Sequence, residues 1–286
     1  SWMQTCCLII FGGGYDLGFE AALGREGTRQ IQSFVCAGGS YLGLCAGAYW
    51  ACDSILFDKG GPLEVTGERF LKFFPGMCIG PAFPGFQYET KAGVHAVPVR
   101  YTSGRHLDKD IRHLNTDIGH LETDIRHLET DIRHLDTDVK HLDAYSEGGG
   151  FFRLYNQSRD GCVLSEDRIS TDGLTFSSMD TINTKYGVSC KDSCASHVGL
   201  TSRPPLVEIL GTYSSLENNS PAIVRCRVGR GLAVLSGVHI EFPCHLLDHQ
   251  NIYIKPWMPL FQRSEDTRLC VFKDILRQLG VQTAIS

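Results

Sequence analysis

Apolar positions along this chain follow more than one period, and each period predicts a different kind of element. Residues 6–11, CCLIIF, form a short unbroken apolar run closed by Gly12-Gly13-Gly14. Such a run reads as a buried strand leading into a tight loop. Residues 27–36 place Ile31, Phe34 and Val35 on one helical face, and Gly38-Gly39 stop the helix. SYLGLC (40–45) is a second short strand, and AGAYWAC (46–52) begins another helix. Strand, helix, strand, helix at this spacing predicts an α/β protein with a parallel sheet covered by helices. Strand character returns at 62–67, 95–101, 148–156 and 206–213. It is strongest at 222–242, where a Gly-Arg-Gly turn joins two strands. Residues 268–280 predict an amphipathic C-terminal helix with Leu269, Phe272, Ile275, Leu276 and Leu279 facing inward.

A period of seven runs through residues 105–143. Its apolar positions, from Leu107 and Ile111 to Val139 and Leu142, alternate in steps of four and three. That is a coiled-coil seam with a left-handed supercoil, and self-association through 105–143 is one expectation. Acidic residues flank the seam on both sides, Asp110 and Asp117 on one and Glu122 and Glu129 on the other, which opposes a parallel homodimer. The near-identical units equally fit a short tandem duplication accepted within a loop. One histidine recurs per heptad, about 10.5 Å apart on a helix, too far for two to share an ion. Residues 160–204 carry little periodicity and read as an irregular insertion. The expected organisation is one domain over residues 1–286, interrupted at 104–143 and 160–204.

Composition narrows the partners. A net charge of -5 gives no basis for binding nucleic acid or an anionic membrane surface, and no apolar run is long enough to span a bilayer. The opening residues carry no signal-peptide pattern. The twelve cysteines follow no spaced framework, so reduced thiols in an intracellular, cytoplasmic setting are expected. Cys190, Cys194 and His197 offer too few ligands for a zinc site, so neither metal nor cofactor is expected.

One cysteine stands apart. Cys45 lies at a strand-to-helix turn in GLCAGAYW, with Gly43 two residues before it and Gly47 two after. A nucleophile on such an elbow must stand clear of the sheet, and small neighbours relieve the crowding. The following helix aims its N-terminus at the sulfur, and Ala46 offers a backbone N–H to an oxyanion. A thiol nucleophile needs a base, and the base an orienting acid. Of His95, His197, His239, His245 and His249, only His239 follows a strong apolar strand and has an acid two residues on, Glu241. In extended backbone those two side chains point the same way.

An early G-x-C-x-G elbow with a late H-x-E resembles the class I glutamine amidotransferases. More narrowly, FGGGYDLGFEAAL, FVCAGGSYLGLCAGAYWA, FFPGMCIGPAFPGFQYET, YSEGGGFF and LSGVHIEF resemble the N-terminal domain of eukaryotic biotin–protein ligases. The resemblance covers most of 5–103, 145–155 and 205–282. It implies a flavodoxin-like, Rossmann-like sheet with helices on both faces. It also implies a Cys45–His239–Glu241 triad acting on a small amide substrate or metabolite, with Gly13 and Gly14 in the loop that supplies a second oxyanion N–H. The family's first strand and helix are expected before residue 6, so the N-terminus is expected to be incomplete. No Gly-Arg-Gly-Arg-type adenylate-binding loop is found. The resemblance therefore implies no biotinylation by this chain itself, and leaves a non-catalytic module serving a protein partner as the other reading.

Overall fold

A computed structural model describes residues 2–103, 139–158, 161–163 and 206–282. Strand β1 (Leu8–Phe11) pairs in parallel with β2 (Ser40–Leu44), Ile10 opposite Leu42. Helix α1 (Asp16–Cys36) makes the crossover; Gly24, at φ 59° and ψ -172°, interrupts its helical geometry. Past Cys45 come the single-turn helix α2 (Ala46–Trp50) and strands β3 (Cys52–Phe57), β4 (Val65–Glu68) and β5 (Phe74–Gly80). Strands β6 (Val94–Thr102) and β7 (Val139–Glu147) pair antiparallel, and β8 (Phe151–Leu154) follows. The segment Leu154–Pro204 is a separate unit in which β9 (Asn156–Ser158) and β10 (Gly161–Val163) pair antiparallel. Strands β11 (Val207–Tyr213), β12 (Pro221–Val228) and β13 (Gly231–Ser236) precede the last helix, α3 (Met258–Gln278).

Seven strands form the main sheet, in the order β1-β2-β13-β12-β11-β6-β7. Four more form a smaller sheet, β4-β3-β5-β8. Side chains along the central strands alternate between two cores, as the pleat requires. Tyr41, Ala233 and Leu235 join Ile31, Phe34 and Val35 of α1, Trp50 of α2, and β3 and β5. Leu42, Leu44 and Val234 join Val271 and Ile275 of α3. Helices thus cover both faces of an α/β protein.

The sheet is mixed, whereas the sequence predicts a parallel one. Only β1, β2 and β13 run in parallel; β13, β12, β11, β6 and β7 alternate in direction. The Gly229-Arg230 turn between β12 and β13 dictates part of this. Gly229 takes φ 59°, and a two-residue connection joins only antiparallel neighbours.

Two further expectations are corrected. Val139 and Leu142, assigned above to the heptad seam, lie in β7, where Leu142 opposite Val99 is buried in the sheet core. Once every second residue can face a core, strand pairing takes these positions from the helical pattern. Residues 104–138, with the rest of the heptads, and Cys190, Cys194 and His197 lie outside the described residues. In α3 the buried positions are Met258, Phe261, Ser264, Arg268, Val271, Asp274 and Ile275, while Leu269 is 38% exposed.

Ile275 and Leu279 are buried as expected, with Phe272 and Leu276 packed against the same core, and polar groups share that face because they find partners there. Asp274 accepts from Tyr101 and Ser103, both at 2.8 Å, and Arg268 donates Nη1 to the carbonyl of Ile240 at 2.6 Å. No described helix is long and apolar enough to cross a membrane.

Ile275→Ala is therefore expected to cost about 2–5 kcal/mol, and Leu269→Ala less than about 0.5 kcal/mol. Urea denaturation with an unchanged m-value checks both; equal losses would refute this placement of α3.

Candidate active site

Cys45 sits where β2 stops, at φ 50° and ψ -108°. Non-glycine residues rarely adopt such backbone, and it persists only where the surroundings hold it. Here the Cys45 N–H donates to Ser236 of β13 at 2.9 Å, and its carbonyl accepts from Ala48 and Tyr49. The flanking glycines are sterically required. A Cβ at Gly43 would lie 2.6 Å from the Gly47 carbonyl oxygen, and one at Gly47 would lie 2.1 Å from the Phe11 carbonyl oxygen. The crowding argument made from sequence thus has named atoms behind it. The helix contribution is smaller than expected: α2 is only five residues long, too short for a sizeable macrodipole.

His239 lies three residues beyond β13, and its N–H donates to Tyr145 of β7 at 2.8 Å. His239 forms an isolated bridge to Tyr145, and across the bend that follows Nδ1 of His239 meets Oε1 of Glu241 at 2.7 Å. The ring stacks on Phe242, with centroids 4.5 Å apart and planes 7° from parallel. Cys45 lies beside it over Gly13, and both residues line the same cavity. His239 is 5% exposed and Cys45 8%. Burial by itself would lower the imidazole pKa, but the interactions with Cys45 and Glu241 and their charges outweigh it, and the ring is pushed up to about 10.

The structure brings Cys45, His239 and Glu241 together, and His95 and His249 make local contacts elsewhere, to Pro84 and Cys244.

The glycine loop closes the site from β1. Gly12 accepts the Gly47 N–H at 3.0 Å, tying the loop to the elbow. A Cβ on Gly13 would lie 2.8 Å from Cε1 of His239 and 3.8 Å from Cβ of Cys45, so Gly13 is the floor on which the pair rests. Gly14 takes φ 136° with open space beside it, and Ala46 opens α2; both line the cavity above Cys45.

That cavity measures about 480 Å³. Its wall includes Phe57 and Phe86, whose rings meet edge to face, and Tyr88, which meets Phe86 in the same way.

Sequence reasoning gave no role to Glu147. Its carbonyl oxygen lies 3.6 Å from Sγ of Cys45, and its carboxylate takes Lys91 and the Tyr145 hydroxyl, each at 2.8 Å. The available signal was the run Gly148-Gly149-Gly150. A Cβ at Gly149 would lie 1.7 Å from the Gly237 carbonyl oxygen, and Tyr49 and Tyr213 donate to the carbonyls of Gly148 and Gly150, each at 3.0 Å. Consecutive glycines after a strand marked close backbone approach.

Residues 1–187 and 194–286 match the family model described as biotin-protein ligase, N terminal. The chain belongs to the biotin–protein ligase N-terminal family. Among curated relatives of this family member is the biotin–protein ligase of Schizosaccharomyces pombe (strain 972 / ATCC 24843), 39% identical over 99 residues, which are 34% of this chain and 16% of that protein. Another is an uncharacterized protein of Chlamydia muridarum (strain MoPn / Nigg), 39% identical over 102 residues, 35% of this chain and 39% of that protein. The matched segments thus span well under half the length of either relative.

In this family member the imidazolium of His239 is held far above the unfolded value near 6.5. Its contribution to stability is complete below about pH 6.5 and is lost as pH rises toward 10. An imidazole titration followed by NMR is expected to show a midpoint near 10. Glu241→Gln should move it down by about one unit or more and shrink the alkaline loss of stability. A midpoint near 6.5 in the parent would refute the hydrogen-bonded pair.

Proposed function

We propose that this chain is a cysteine amidohydrolase of the glutamine-amidotransferase type, with a class I amidotransferase-like fold. The observation that carries it is the juxtaposition in one cavity of Cys45, in left-handed backbone, with His239, whose Nδ1 is hydrogen-bonded to Glu241. A nucleophile at the end of a parallel strand, on a turn that only glycines allow, supports the fold assignment.

The steps follow from the geometry. With the proton held on Nε2 of His239, Sγ of Cys45 attacks the carbonyl carbon of a carboxamide, leaving an oxyanion toward the amides of Ala46 and Gly14. Glu241, on Nδ1, holds the tautomer and balances the imidazolium. The C–N bond breaks as His239 returns the proton to nitrogen, and ammonia leaves a thioester. Water then attacks the thioester, giving its proton to His239; the carboxylic acid departs and the proton stays on His239 for the next cycle. The raised imidazole pKa suits a base that must keep the proton until the leaving group needs it.

Ammonia release from glutamine and a panel of other carboxamides tests this on the whole chain. Cys45→Ala is expected to abolish turnover, and Glu241→Gln to lower kcat roughly 10²–10⁴-fold. No Cys45-dependent release from any amide would overturn the enzymatic reading and leave a non-catalytic module of the biotin–protein ligase family.

A further inference from the structure

We propose that the main-chain carbonyl of Glu147 is the acceptor for the leaving nitrogen, and that it makes this site selective for carboxamides over the corresponding esters. The inference rests on the thiol-hydrolase reading above and names the substrate class of that same site.

Carbonyls along an antiparallel strand alternate between its two edges, so residues two apart face the same way. On one edge of β7 the Tyr145 carbonyl takes the N–H of His239 at 2.8 Å. Two residues on, the Glu147 carbonyl faces Cys45, 3.6 Å from Sγ. One strand edge thereby touches both the base and the nucleophile.

The Glu147 oxygen is an acceptor only. A thiol has one weak S–H, which cannot serve His239 and this carbonyl together. With the proton held on His239, the carbonyl is left facing the reacting centre without a donor. The tetrahedral carbon on Sγ then carries an oxyanion, an acyl chain and a leaving group. A carbonyl oxygen repels the oxyanion and gains nothing from an alkyl chain. An N–H of a carboxamide satisfies it, and keeps doing so as nitrogen gains the proton from His239. An ester oxygen in that place has no hydrogen to give, and two acceptors would face each other. Sites built to accept an N–H reject analogues that lack it, because the buried acceptor is left unpaired.

The carbonyl is fixed in place beforehand. Lys91 and Tyr145 hold the Glu147 side chain, Tyr49 donates to the next carbonyl at 3.0 Å, and Gly148 takes φ 74° against the ring of Phe86. A preorganised acceptor loses little in reorganisation at the moment of reaction.

The test compares, on the full chain, a primary carboxamide that it hydrolyses with the methyl ester of the same acyl group, Cys45→Ala serving as the blank for both. The ester is the intrinsically better substrate for a thiolate, so chemistry alone favours it. The inference expects kcat/KM for the amide to exceed that for the ester by about 10²-fold. Cys45-dependent ester hydrolysis as fast as amide hydrolysis, or faster, would overturn the role of Glu147 while leaving a thiol hydrolase. Absence of Cys45-dependent turnover of either substrate would overturn both.

Discussion

The site depends on backbone approaching backbone with no room for a Cβ between. Gly47 lies against the Phe11 carbonyl, Gly149 against Gly237, and Gly237 against the Gly150 carbonyl. Each contact joins segments far apart in sequence, at the ends of β1, β2, β7 and β13. Side chains are long and adjustable, whereas a glycine contact fixes two peptide planes with little slack. A nucleophile and base that must meet within hydrogen-bond distance gain more from such rigid seams than from a softly packed core. The strained backbone of Cys45 is held by the same seams, since its N–H is anchored on Ser236 while Gly43 and Gly47 clear space around it.

Helix α3 supports this arrangement from behind the sheet. Arg268 donates to the carbonyl of Ile240, the residue between His239 and Glu241, and is itself held by Glu265. The backbone that carries His239 and Glu241 is therefore pinned on two sides, by β7 and by α3. Neither pin involves a residue that would touch substrate.

Much of this was legible in the sequence, for identifiable reasons. Short apolar runs located β1, β2 and β13; β2 and β13 are buried on both faces and carry no polar alternation, while β1 at the sheet edge leaves Ile10 half exposed. The G-x-C-x-G elbow and the H-x-E pair were legible because each is local: adjacent residues decide where each side chain points. What escaped was non-local. Glu147 acts through its carbonyl, and a main-chain group has no residue-type signature. On α3 hydrophobicity located Ile275 and Leu279 but not Arg268 and Asp274, which are buried only because Ile240, Tyr101 and Ser103 are there to meet them. Val139 and Leu142 fit a heptad equally well, and only pairing with β6 decides for a strand.

The strand order has a further consequence in time. β13 lies between β2 and β12, so the middle of the main sheet is filled by a strand near the end of the chain. During synthesis Cys45 emerges long before Ser236 and His239 can reach it. Closing so large a loop is slow, because its entropy must be spent before the contacts that reward it form. For most of translation the elbow lacks its anchor and Cys45 lacks its His239 neighbour. The surroundings of Cys45 are thus completed only with the fold, and a nascent or truncated chain would carry the cysteine without them.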